Sequence, residues 1–279
     1  MSIRIVTDSS CDLPDDLVQR WNIEIVPLTI RFGEEEFLDR VELPAKQFWA
    51  KCATSPMLPT TAAPSPEQFT TAYGQLGAAG ADGIVVITLS SEISATFQSA
   101  ELAARDFDDI PVRVVDSRST TLGLGMIVLA AARATEGGAA LEQIDETARD
   151  LSSRTRVFGA IDTLDNLKKS GRVSNAKAMF ATALSIKPLI EVRDGEVQQA
   201  GRQRTRSKAL THVIARLAEY QGRIENLAVL HADCDDVDSF VKRVEPYADG
   251  DVVVGEIGPV VGSHAGRGTI GVAFHEANA

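Results

Sequence analysis

Three cysteines in 279 residues, Cys11, Cys52 and Cys234, are odd in number, far apart and form no C-x-x-C pair. That pattern excludes a disulfide framework and offers no thiolate zinc site, so the thiols are expected to be reduced. No run approaches the ~18 apolar residues that span a bilayer. The opening MSIRIVTDSS lacks the long apolar segment of a signal peptide, and a cytoplasmic protein with no membrane segment is expected. Basic residues are also in short supply: 28 Lys and Arg face 39 Asp and Glu, a net charge of −11. Such a balance argues against a phosphate-seeking nucleic-acid binder. The G-x-S-x-G elbow, the G-x-x-x-x-G-K-[ST] phosphate loop and H-E-x-x-H are all missing, so the standard hydrolase, nucleotidase and metalloprotease signals fail.

What is present is a 44% apolar chain long enough for two domains of roughly 100–200 residues each. Ile3 to Thr7, Ile23 to Ile30, Gly83 to Leu89 and Pro111 to Val115 read as strands. The third lacks polar alternation, as a strand buried on both faces does. Several end in a hydroxyl or acidic cluster that runs into a helical pattern, notably Ser94 to Arg105 and Leu122 to Ala134. Strand, polar turn and helix in repetition predict a parallel α/β sheet. After about residue 155 the pattern changes. Arg156 to Ile161 is a strand candidate, helices are expected over 164–169 and 176–183, and Asp194-Gly195 is a preferred hairpin turn between Ile186–Val192 and Glu196–Gly201. A long helix Ser207–Tyr220, strand Leu227–His231, helix Val237–Tyr247 and strands Val252–Ile257 and Thr269–Phe274 follow. The expected fold is α/β, with two α/β domains. Residues 1–155 form a parallel sheet with flanking helices, and 156–279 a mixed sheet covered by helices.

Four loops carry polar groups worth weighing. Thr7-Asp8-Ser9-Ser10 ends the first strand, where ligands of open α/β sheets sit, although Asp and Ser there also cap helices. Leu58 to Pro66 sets three prolines around Thr60 and Thr61, which fixes an extended segment that can hold a hydroxyl still or simply connect to the helix at Pro66. Ser90 to Thr96 brings hydroxyls to a helix start, an environment that favours a carboxylate or phosphate, with Ser94 the candidate and an N-cap the competing account. Gly258 to Thr269 packs four glycines around His264, a tightly shaped loop between two strands. Gly123 and Gly125 are suited to close helix-to-sheet packing, but no third glycine completes a dinucleotide fingerprint. Between Lys168 and Lys208 stand ten basic and three acidic residues, a net of +7 that leaves −18 for the rest; Arg202, Arg204 and Arg206 alternate there, a candidate anion or partner surface.

In this order, TDSSCDLP (7–14), PTTAAPS, SSEISATFQSA (90–100), VDSRSTTLGLG (115–125), LDNLKKSGRVS (164–174) and GPVVGSHAGRGTIG (258–271) resemble the DegV family of fatty-acid-binding proteins over essentially the full chain. The resemblance implies two α/β domains enclosing one long acyl chain, its carboxylate near the domain boundary. It also implies similarity to the binding subunit of bacterial fatty-acid kinase, which presents the carboxylate to a separate ATP-using kinase subunit and holds the acyl-phosphate. The family's carboxylate-binding threonine falls on Thr61, its serine on Ser94 and its histidine on His264. Its S-G-R arginine falls on Arg172, and a basic segment linked to kinase docking on Arg204 and Arg206. Departures are Ala62-Ala63 for Ser-Gln, Ala95-Thr96-Phe97 for Gly-Thr-Tyr, and Arg267 within Gly266-Arg267-Gly268. A lipid-binding protein with no catalytic activity and no cofactor is therefore expected. The alternatives are a Ser/His-dependent acyl or phosphoryl transferase using Ser94 and His264, and a small-anion sensor.

Overall fold

The computed structural model describes residues 2–163, 166–167, 171–172 and 186–278. The helices expected over 164–169 and 176–183 lie, except for Asn166 and Leu167, outside the described residues. The fold is α/β, as expected. β1 (Ile3–Asp8), β2 (Glu24–Val26), β6 (Gly83–Thr88) and β7 (Val112–Asp116) form a four-stranded sheet in the order β2-β1-β6-β7, parallel throughout. β6 is buried at all six positions, which is why its sequence shows no alternation. β8 (Thr155–Ala160), β9 (Lys187–Arg193), β10 (Glu196–Gln203), β11 (Ile224–His231), β12 (Val253–Glu256) and β13 (Ile270–Glu276) form a mixed sheet in the order β10-β9-β8-β13-β11-β12. Its β9–β10 hairpin turns through Asp194 and Gly195, both at positive φ, the turn that Asp-Gly favours.

Three sequence expectations change. Ile23–Ile30 is not one strand: after β2, Pro27 supplies no N–H, and the chain shifts into β3 (Thr29–Phe32) of a separate antiparallel sheet with β4 (Glu35–Leu38) and β5 (Thr60–Ala62), in the order β4-β3-β5. The Pro-rich segment is more than a connector, since Thr60–Ala62 is β5 and pairs with Thr29–Arg31. The glycine-rich segment is not a loop throughout: Pro259 starts a helix, Pro259–Ala265, that Gly266 ends at φ 80. Three elements had no counterpart in the sequence reading: β4 (Glu35–Leu38) and the helices Ala45–Thr54 and Leu141–Arg154.

The helix Thr121–Glu136 joins the two large sheets. It is apolar almost all round and buried from Thr121 to Leu129, as a helix enclosed on every side must be. It packs against β1 and β6 and also against β8, β11 and β13. One apolar cluster accordingly runs from Ile5 and Val85 through Leu124 and Ile127 to Val157, Leu230 and Ala273. Close approach needs the glycines. A Cβ on Gly123 would lie 2.6 Å from Val157 Cγ2, and one on Gly125 would collide with the Cys11 carbonyl oxygen.

Candidate functional site

The site lies where the large sheets and the small one meet. Thr61 is the middle residue of edge strand β5, Ser94 sits in the turn between β6 and the helix Thr96–Arg105, and His264 is in the last turn of Pro259–Ala265. All three, with Arg172, line one cavity of about 210 Å³. Thr61 Oγ1 is 2.9 Å from His264 Nε2. Asn166 Nδ2 donates to the Ser263 carbonyl at 3.1 Å, tying the segment before Arg172 to the histidine's helix. The rest of the lining is largely apolar and is shared by the two halves of the chain. Leu28 and Leu89 come from the first half, and Val157, Ile190, Val192 and Val197 from the second. Hydroxyl and cationic donors on the wall of an otherwise largely apolar cavity suit an amphipathic carboxylate.

Burial, with the positive charge of Arg172 adding to it, pushes His264 down to about 4. Its imidazole is thus neutral at physiological pH, able to accept from or donate to Thr61 but not to act as a counter-ion. Nδ1 is buried without a hydrogen-bond partner. The fixed positive charge of the cavity wall belongs to Arg172, whose side chain is exposed. Ser94 Oγ accepts from the Thr96 N–H at 3.2 Å and contacts Thr96 Oγ1 at 2.9 Å. The N-cap reading does not hold, since Ala95 is the N-cap and no side chain caps the helix; Ser94 lines the cavity just before it.

Asp8 does not join them. Its carboxylate is fully buried and accepts from Ser10 N, Ser10 Oγ and the Leu89 N–H at 2.5–3.0 Å, a staple between the ends of β1 and β6. A Ser94/His264/Asp8 relay therefore has no contact to support it, the histidine's partner being Thr61. Arg206 is likewise away from the cavity. It grips Asp236 through two 2.7 Å bonds and reaches Asp162 at 3.2 Å, and the Asp236 bonds raise its pKa further. Arg204 is exposed and also outside the lining.

Sequence reasoning missed Thr120 and Thr121, which line the cavity from the turn after β7. Thr121 holds φ 49, an unusual value for a β-branched residue; the hydroxyl cluster that ends β7 was the available signal. The walls Val192 and Val197 were missed too, being ordinary strand residues that pair with each other across the β9–β10 hairpin. Among the described residues no cluster of His, Cys, Asp or Glu could hold a metal ion, and no helix is long and apolar enough to cross a membrane.

Comparison with known proteins bears on this geometry. A model described as "Uncharacterised protein, DegV family" matches residues 2–277. A DegV domain-containing protein of Mycobacterium bovis is 38% identical over 278 residues, covering 98% of this chain and 96% of its own, and one of Streptomyces coelicolor is 35% identical over 274, covering 97% of each. Among solved structures, a DegV family protein from Thermus thermophilus described by its fatty acid binding superposes with a TM-score of 0.90 at 34% identity, covering 99% of this chain and all of that one. DegV from Bacillus subtilis, described as a fatty acid binding protein, gives 0.85 at 28% identity, with 99% of each chain covered. With the family match over residues 2–277 and the fold shared with its solved members, this chain belongs to the DegV family.

Proposed function

We propose that the protein binds one long-chain fatty acid, with the carboxylate held by Thr61 and Ser94 beside neutral His264 and the acyl chain in the cavity behind them. The carrying observation is that Thr61, Ser94, Arg172 and His264, far apart in sequence, line one apolar cavity with Thr61 and His264 in contact. Solved relatives described as fatty acid binding support the reading. Each methylene buried there contributes about 0.8 kcal/mol, so a long chain gains most of its affinity from the apolar lining and its orientation from the polar groups. Two domains, 1–155 and 156–279, would close on the chain from either side.

A chain so enclosed leaves only its carboxylate within reach of other molecules. We infer that a separate ATP-using kinase subunit in the cytoplasm phosphorylates it there. Arg172 then supplies the charge that meets the added phosphate, and the exposed Arg204 belongs to the face that the partner meets. Arg206, engaged by Asp236 and Asp162, serves that face by shaping it.

Titration of delipidated protein with stearate tests the binding. Saturation at one equivalent that is weakened in Ser94→Ala supports the proposal; no saturable binding overturns it. Incubation of the protein alone with ATP and fatty acid tests the transferase alternative, since turnover without an added subunit would overturn the presenting role.

A further inference from the structure

The β9–β10 hairpin lies at the edge of the mixed sheet and gives the acyl cavity three of its apolar side chains, Ile190, Val192 and Val197. Val192 and Val197 pair across it two residues from the Asp194-Gly195 turn, about 7 Å along the strands. The pairing of β8 with β9 ends at Val157 and Val192, so the tip from Arg193 to Glu196 extends past its third strand. What fastens the tip is the first half of the chain. Ser90 Oγ donates to the Gly195 carbonyl at 2.7 Å, and Arg118 donates to the Asp194 carbonyl at 2.6 Å. The approach is close: a Cβ on Gly195 would lie 2.7 Å from Ser90 Oγ and 2.9 Å from Glu92 Cγ.

The loop that carries Ser90 also reaches into the cavity. Ser90 is fully buried and its N–H donates to the Ser119 carbonyl at 2.8 Å, while Ile93 and Ser94 of the same loop line the acyl site. The Ser90–Gly195 bond thus ties two parts of the lining together, Ile93 and Ser94 from the first half and the Val192–Val197 pair from the second. Their spacing matters because the side chains adjust little. Ile93, Val157, Ile190, Val192, Val197 and Val260 are β-branched and stiff at χ1. No methionine stands among the described lining residues to take up a difference in shape. Widening the cavity therefore requires the backbone to move. At about 210 Å³ the cavity is smaller than the roughly 300–1,000 Å³ usual for ligand pockets, so the spacing of its walls decides which chain shapes enter.

We propose, on the reading that this cavity holds a fatty acid, that Ser90 and Arg118 are positioning residues for its acyl chain. By fastening the hairpin tip they hold the cavity at the width of a straight chain, and the protein discriminates against a cis double bond. A cis bond kinks the chain and needs lateral room that an extended chain does not, whereas a trans bond leaves the chain straight. Neither residue lines the acyl cavity, so both act through the hairpin. Both bonds end on main-chain carbonyls and therefore fix the backbone of the turn itself.

Competition binding of the full chain, emptied of lipid, with stearate, oleate and elaidate tests the proposal, since the three acids are equal in length and differ in shape. Wild type is expected to bind stearate and elaidate alike and oleate at least roughly fivefold more weakly, the scale that one neutral hydrogen bond sets. In Ser90→Ala/Arg118→Gln that oleate penalty is expected to shrink at least roughly threefold, with elaidate still following stearate. Arg118→Gln alone alters an exposed side chain and acts in the same direction if the double variant does not fold. Equal affinity for oleate and stearate in wild type, or elaidate disfavoured like oleate, would overturn the proposal. So would an oleate penalty unchanged in folded variants, even where all three acids weaken together, because a merely structural role predicts that result. Failure of wild type to bind any of the three overturns the fatty-acid reading, and this proposal with it.

Discussion

Thr61 Oγ1 and His264 Nε2 are 2.9 Å apart across 203 residues of sequence, so an edge strand of the small sheet and the helix between β12 and β13 of the mixed sheet meet in one hydrogen bond at the cavity wall. Neither residue is charged at neutral pH, and the bond persists only while the imidazole stays unprotonated or donates.

His264 is expected to titrate near 4 rather than at its ordinary value near 6.5, and Arg172→Gln is expected to raise that midpoint by removing an adjacent positive charge. Because the folded protein prefers the neutral ring, the associated stability is present above the ordinary value and is lost as pH falls through the folded one. Histidine ring NMR signals followed against pH measure both midpoints; a midpoint unmoved by Arg172→Gln would refute the electrostatic pairing.

Thr61→Val and Ser94→Ala are each expected to weaken fatty-acid binding while shifting Tm by only a few degrees. A hydrogen bond to a charged group contributes about 1.5–3 kcal/mol, equivalent to roughly tenfold to hundredfold in Kd. Competition with a fluorescent fatty acid reads the loss, and unchanged affinity in both variants would place the carboxylate elsewhere.

Arg206→Ala is expected to lower thermal stability rather than fatty-acid affinity. It removes the two 2.7 Å bonds to Asp236 and leaves that carboxylate, held below the ordinary range by the arginine, without its partner. Thermal melts beside ligand titrations separate the two effects.

Asp39 is fully buried, with neither carboxylate oxygen hydrogen-bonded, and burial pushes it up to about 8; its neighbour Asp12, which accepts from the Gly258 N–H at 2.9 Å, is pushed up to about 7. Folding favours the protonated carboxyls, so their contribution is complete below the ordinary carboxylate range and disappears as pH rises through about 7 to about 8. Asp39→Asn is therefore expected to gain Tm relative to wild type as pH rises from about 5 to about 8.5. A constant difference across that range would contradict the assignment.

Much of this was legible in sequence because the signals are local. The uninterrupted apolar run of Gly83 to Leu89, the Asp194-Gly195 turn and the polar endings of successive strands each report on their own neighbourhood, and together they pointed to the two large sheets, though not to the small one β4-β3-β5. The helix Leu141–Arg154 was missed although its buried Leu141, Ile144, Ala148 and Leu151 carry a local signal, lying on one helical face. What stayed hidden depends on distant partners. Nothing near Pro27 says that the chain will leave one sheet for another, and nothing near Val192 says that it will line a cavity together with Leu28. His264 was singled out by its glycines, yet its place on a helix follows from Pro259 and from the Asp12 carboxylate that meets the Gly258 N–H, 246 residues away. Arg206 looked like surface charge because its anchors, Asp162 and Asp236, are remote in sequence.

The most direct test of the central claim is mass spectrometry of solvent extracts from protein purified without added lipid, followed by reloading of the emptied protein. A long-chain fatty acid recovered at close to one per chain, and taken up again by wild type but poorly by Thr61→Val/Ser94→Ala, is the predicted result. A protein that carries no fatty acid and takes up none when it is offered would contradict the account.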